Sequence, residues 1–187
     1  MRNVILLMHV SLDGFVGGPN GEMDWIKLDA EMFDDVGKLT DEADTAIYGR
    51  NTFAMMEAYW PTAGDQPGAT KHDIEHSDWT NKSLKLVFST TRNRSDWART
   101  KFISNNIPEE IKKIKQQPGK NLLMIGSPGL VKTFIGYNLI DEYRIGIAPV
   151  ILGNGRPLFR QGISYSKLSL VSAQQFSDKC AVLIFTK

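Results

Sequence analysis

The sequence predicts an α/β fold: a mixed, mostly parallel sheet with helices on both faces, three layers in all. Three observations lead there. Short apolar runs of strand length alternate with stretches whose apolar residues recur at helical spacing, the pattern of strand–helix–strand units. The chain instead closes on two alternating runs, KLSLVSAQQF and CAVLIFTK, which read as an antiparallel strand pair. Finally, 187 residues, 42% hydrophobic and 23% charged, can bury a sizeable core without disulfides or metals. No repeat or composition shift divides the chain, so residues 1–187 read as one domain.

Taken in order, NVILLMHVS is a near-continuous apolar strand. Residues 29–44 carry Met32, Phe33, Val36 and Leu39 at helical spacing. TAIYG is a short buried strand, and residues 50–59 form a helix expected to stop before Pro61. The polar segment 60–82, with Pro, Gly and two histidines, reads as an excursion loop. LKLVFS is the next strand. Pro108 starts the helix PEEIKKIKQQ, its Pro and Glu residues suiting the free amides and dipole of a first turn, and PGK ends it. NLLMIG follows as a strand, GLVKTFIGYNL as a helix and DEYRIGIAPVIL as a long strand.

Composition excludes several classes of partner. With 22 basic against 21 acidic residues the net charge is +1, which offers no footprint for nucleic acid or an anionic membrane. The single cysteine, Cys180, can neither form an internal disulfide nor build a metal cluster, and points to a cytoplasmic protein. The first apolar run is short, broken by Asp13 and lacks a small-residue cleavage site, so it reads as a strand rather than a signal peptide, and no run reaches transmembrane length. His72 and His76 have the spacing of a metal pair on a helix, but no third ligand accompanies them, and no metal is expected.

The chemistry lies at three strand ends. In open α/β sheets, ligands bind beyond the carboxyl ends of parallel strands, where helix N-termini present free amides. AIYGRNT places Gly49, Arg50 and Thr52 at such a point, suited to a phosphate. LVFSTTR ends in hydroxyls followed by Arg92, suited to a phosphate or ribose. LLMIGSPG runs from strand through Gly126 and Ser127 into a helix that could face a pyrophosphate. Each stretch alone has a plain structural reading, with Thr52 in an ordinary first turn and Arg50 in solvent. Three along one rim suit a two-ended ligand such as a dinucleotide. The standard fingerprint is absent, since the Gly-x-Gly at Gly153 leads into Pro157 and reads as a turn.

In order and spacing, SLDGFVGG, AIYGRNTF, LVFSTT, MIGSPGLVKTF, LIDEYRI and APVILGNGRPLF resemble the dihydrofolate reductase-like superfamily. More closely, they resemble the branch containing the reductase domain of bacterial riboflavin biosynthesis, over essentially the whole chain. The resemblance implies a homodimeric, NADPH-dependent reductase acting on a small heterocycle, of the kind that reduces 5-amino-6-(5-phosphoribosylamino)uracil. Residue by residue, it assigns Gly49, Arg50 and Thr52 to a first phosphate-binding turn, and Ser89 and Thr90 to a second near the adenosine. It assigns Gly126 and Ser127 to the turn under the pyrophosphate and nicotinamide, and Phe15, Val16 and Gly17 to the loop covering the nicotinamide. Ile125 stands where the riboflavin reductases usually carry an acid, which leaves open a non-catalytic NADP-binding or interaction protein on the same scaffold. Asp29 and Phe33 resemble the acid and aromatic pair that meets the pterin in dihydrofolate reductases, although Asp29 is also placed as a helix cap. Trp25 resembles a tryptophan at the edge of that site.

Overall fold

A computed structural model describes residues 1–163 and 165–187. The first half of the chain forms β1 (Val4–Ser11), β2 (Phe15–Gly17), α1 (Ala30–Asp41), β3 (Ala43–Gly49), α2 (Arg50–Ala63), α3 (Lys71–Lys82) and β4 (Leu84–Phe88). There follow β5 (Thr100–Ile103), α4 (Ile107–Gln116), β6 (Asn121–Ile125), α5 (Pro128–Gly136) and β7 (Glu142–Ala148). The chain ends with β8 (Arg156–Pro157), β9 (Ser169–Phe176) and β10 (Cys180–Thr186).

Eight strands make one sheet in the order β5-β4-β3-β6-β1-β7-β10-β9, and β2 pairs with β8 in a small separate ribbon. The strands from β5 to β7 pair in parallel, whereas β10 runs antiparallel to both β7 and β9. The predicted mixed sheet and its closing antiparallel pair are therefore present. One face of β1 packs Val4, Leu6, Met8 and Val10 with Ile111 and Ile114 of α4 and Leu130, Val131 and Phe134 of α5. The opposite face carries two clusters. Ile5 and Leu123 join Leu39 of α1, while Tyr48 and Val87 join Phe53 of α2.

Four details depart from the sequence reading. First, α2 does not stop before Pro61 but carries it in its last turn, where the missing amide costs only one bond; Ser77 Oγ donates to Trp60 O at 2.7 Å and Asn81 Nδ2 to Pro61 O at 3.1 Å, tying that end to α3. Second, much of the expected 60–82 loop is helix. The Thr70 side chain accepts from Asp73 N and Asp73 returns a bond to the Thr70 amide, a capping box that starts α3. Third, TKFI forms the edge strand β5, too short to announce itself by period. Fourth, β7 ends at Ala148 because Pro149 has no amide to continue the ladder.

Candidate functional site at the strand ends

Neighbouring strands β4, β3 and β6 bring the three sequence-selected ends together along one rim. Here α2 leaves directly from Gly49, and α5 begins after Gly126 and Ser127. Both residues of that turn are left-handed, Gly126 with φ 72° and Ser127 with φ 65° and ψ 70°. Gly126 suits this backbone, and a Cβ there would also come within 3.2 Å of Thr52 Cγ2. Left-handed backbone is unusual for serine and is concentrated where surrounding bonds enforce it.

Those bonds are visible. The buried Ser127 hydroxyl accepts from the Gly49 amide at 2.8 Å and donates to Thr52 Oγ1 at 2.7 Å. One side chain thus latches the start of α2 to the start of α5. Neither helix has a side-chain cap among the described residues, and their positive dipole ends meet at the rim, although in α5 Pro128 carries no amide and Leu130 N donates to Ser127 O at 2.8 Å. Such a concavity attracts anions.

Arg50 is exposed beside this turn, its Nη1 donating to Thr91 Oγ1 at 2.9 Å and its Nε to Asn51 Oδ1 at 3.3 Å. Ser89 Oγ accepts from the amides of Thr91 and Arg92 at 3.2 and 2.9 Å, which folds the loop after β4, and Thr90 is exposed at its tip. Arg92 is engaged elsewhere: its Nη2 donates to both carboxylate oxygens of Glu57 at 2.8 and 2.7 Å, with the guanidinium 4.9 Å from the Phe53 ring centre. It fastens the loop to α2 rather than pointing a cation into solvent.

Phe15 and Gly17 lie in β2, opposite Pro157 and Arg156 of β8. Val16 is buried in the core with Leu158, so only its backbone faces outward. Asp13 holds this ribbon to the sheet, accepting from Ser11 Oγ at 2.6 Å and from the amides of Leu152 and Gly153 at 3.1 and 2.7 Å. The Ser11 bond does most to lower its pKa. Asp29 caps α1 by accepting from Met32 N at 3.0 Å and also accepts from Ser177 Oγ at 2.8 Å. These bonds, the Met32 amide first, keep it ionised. Trp25 is half-buried and donates to Glu22 O at 3.1 Å.

On the α1 and α2 face of the sheet, Leu7, His9 and Ile125 are only half-buried although their strands are central. Ile125 borders both the α1 cluster and the α2 cluster. These three side chains form a half-buried floor on that face, directly beside the Gly126 turn, whose amide donates to Leu7 O at 3.5 Å. The apolar period of NVILLMHVS does not reveal that His9 is left partly uncovered. Two hollows lie elsewhere. One of about 540 Å³ opens among Arg2, Asp44, Trp79 and Lys82 at the amino end of the sheet, and another of about 780 Å³ lies between Glu57, Arg92 and Trp97.

His72 and His76 sit in a row of rings, with Phe33 stacked on His72 at 4.1 Å and Trp60 4.2 Å from His76. Among the described residues no group of three potential ligands could hold a metal ion, and no helix is long and apolar enough to cross a membrane.

An eight-stranded, mostly parallel sheet with open helix ends at its central rim defines a dihydrofolate reductase-like α/β domain. The chain belongs to the RibD C-terminal domain family, which it matches over residues 2–182 and which is a family of reductases. It is 37% identical over 187 residues to the uncharacterized protein YyaP of Bacillus subtilis, covering 98% of this chain and 94% of that one. Its similarity to the uncharacterized YwjB of the same organism is 28% over 178 residues, covering 95% of this chain and 94% of YwjB. Among solved structures, a provisionally assigned riboflavin biosynthesis protein from Shewanella sp. PV-4 superposes with a TM-score of 0.76 at 21% identity, over 100% of this chain and 98% of that one. A diaminohydroxyphosphoribosylaminopyrimidine deaminase/5-amino-6-(5-phosphoribosylamino)uracil reductase from Thermotoga maritima gives 0.69 at 14% identity, over 99% of this chain and 56% of that longer chain.

Proposed function

We propose that this protein is an NADPH-dependent reductase that transfers hydride to a small heterocyclic substrate, in the manner of the aminopyrimidine reductases of riboflavin biosynthesis. The observation that carries the reading is the Ser127 latch, because it holds two uncapped helix N-termini together where a pyrophosphate would cross the rim. Gly126 and Ser127 would support the pyrophosphate and the nicotinamide end. Thr52 and Gly49 would line the same turn, and Arg50 would meet the extra phosphate that distinguishes NADP from NAD. The loop at Ser89 and Thr90 would border the adenosine, and the β2 backbone at Phe15, Val16 and Gly17 would cover the nicotinamide.

NADPH, when bound, supplies the hydride, so the chain needs no catalytic triad or carboxylate pair. Its residues would hold the ring against the floor at Leu7, His9 and Ile125 and exclude water. The buried, unpaired Cys180 accords with a reducing cytoplasm. Assembly as a homodimer is part of the proposal and is supported by the open edge of β9, where Leu170 and Val171 are 59% and 61% exposed.

Mixing the protein with NADPH and a panel of pterins, aminopyrimidine ribosides and small carbonyl compounds, while following absorbance of the reduced cofactor, tests the reading. Consumption with a heterocycle is the expected result. Ile125, apolar where the riboflavin reductases usually carry an acid, favours a second reading: a dimeric NADP-binding protein without turnover. Tight NADPH binding with no consumption across the panel would support that alternative.

A further inference from the structure

We propose that His9 is the substrate-recognition residue of this site, donating or accepting a hydrogen bond at the polar edge of an uncharged, planar heterocycle that lies over Leu7 and Ile125. This rests on the reductase reading above and adds to it the residue and the charge class of the substrate.

Three observations support the assignment. His9 is the polar member of a floor otherwise made by Leu7 and Ile125, all three only half-buried although their strands are central. Neither ring nitrogen has a hydrogen-bond partner among the described residues, whereas buried polar groups in a finished core are normally paired. The neighbouring strand also makes room for the ring. His9 is in register with Gly146 of β7, and a Cβ at Gly146 would lie 2.5 Å from His9 Nδ1 and 2.9 Å from Cε1. Any side chain at residue 146 would displace the imidazole from the floor.

The surroundings set the charge class. Burial lowers the His9 pKa, so the ring is uncharged at neutral pH and can offer one donor and one acceptor. Its other neighbour at Gly146, Cys180, is likewise held as the thiol, burial pushing it up to about 11. Asp29, which caps α1, is engaged by the Met32 amide, Ser177 and Lys179. A neutral lactam or aminopyrimidine edge matches an imidazole that is itself uncharged.

The test uses the whole protein loaded with NADPH and 5,6-diaminouracil as probe, with orotate as the anionic ring for comparison. Binding is read by titration calorimetry and by the imidazole NMR signals, assigned by single substitution of each of the three histidines. The diaminouracil should shift the His9 signals but not those of His72 and His76, and orotate should bind at least tenfold more weakly. His9→Leu should weaken the neutral ring about tenfold or more while changing NADPH affinity less than twofold, and His9→Gln, which keeps a donor and an acceptor, should recover much of the loss. Binding of the probe without a change at His9, equal binding of orotate, or no binding of the probe to NADPH-loaded protein would each overturn the proposal while leaving the reductase reading intact. Failure to bind NADPH would instead remove the reading on which it rests.

Discussion

Ser127 does more for this site than its place in the sequence suggests. As the residue before a helix it would ordinarily cap that helix, yet its hydroxyl turns away to Gly49 N and Thr52 Oγ1. Ser127→Ala would leave the Gly49 amide and the Thr52 hydroxyl without their shared partner in a buried turn. An unsatisfied buried group costs about 1–3 kcal/mol, so we expect a loss of that size in urea unfolding, together with weaker cofactor binding. Unchanged stability would mean that the latch is replaced by solvent at no cost. That Gly49, Arg50, Thr52, Gly126 and Ser127 fall at strand ends and helix starts was legible in the sequence, because strand-end glycines followed by helix starts carry their own punctuation. The latch was not, since Ser127 and Thr52 lie 75 residues apart. Nor was the engagement of Arg92 by Glu57, which depends on how the loop after β4 folds back over α2.

Among the elements, α3 shows most clearly what period fails to reveal. Polar residues cover most of its surface and its buried positions include His76, Ser77 and Thr80, so no apolar stripe marks it. The capping box at Thr70 and Asp73 was the available signal. Thr70→Ala should cost about 1 kcal/mol, measured by thermal or urea unfolding, and no change would remove the box as the start of the helix. The same helix carries a pH dependence. Desolvation lowers His76 from 6.5 to about 3, and its Nδ1 is buried without a partner among the described residues. Between those pH values the unfolded chain takes up a proton that the folded chain refuses, so stability falls as the pH drops below 6.5, by up to about 1.4 kcal/mol per pH unit from this residue. His76→Phe keeps a ring between Trp60 and Trp79 while removing the unpaired nitrogen. It should flatten the acid side of the stability profile without destabilising the protein at pH 7. An equally steep profile in this variant would assign the acid sensitivity to the carboxylates instead.

At the scale of the whole molecule, the alternating strands and helices, the parallel centre and the antiparallel close were all readable, because each rests on local period and on the handedness of strand–helix–strand units. The partial exposure of Leu7, His9 and Ile125 was not, because it depends on how the helices cover the sheet rather than on any strand's own period. The exposed β9 edge predicts a homodimer of closed twofold symmetry by light scattering at micromolar concentration, and a monomeric mass would refute it. The central claim, that the rim holds NADPH by its ribose phosphate and pyrophosphate, is tested most directly by titrating NADPH and NADH into wild-type protein and Arg50→Ala at fixed low salt. A guanidinium contacting the ribose phosphate makes charge-assisted bonds whose loss should weaken NADPH binding by about tenfold to a hundredfold while NADH scarcely changes. Equal losses for both cofactors would place Arg50 away from that phosphate, and failure of the wild-type protein to bind either would contradict the account of the rim.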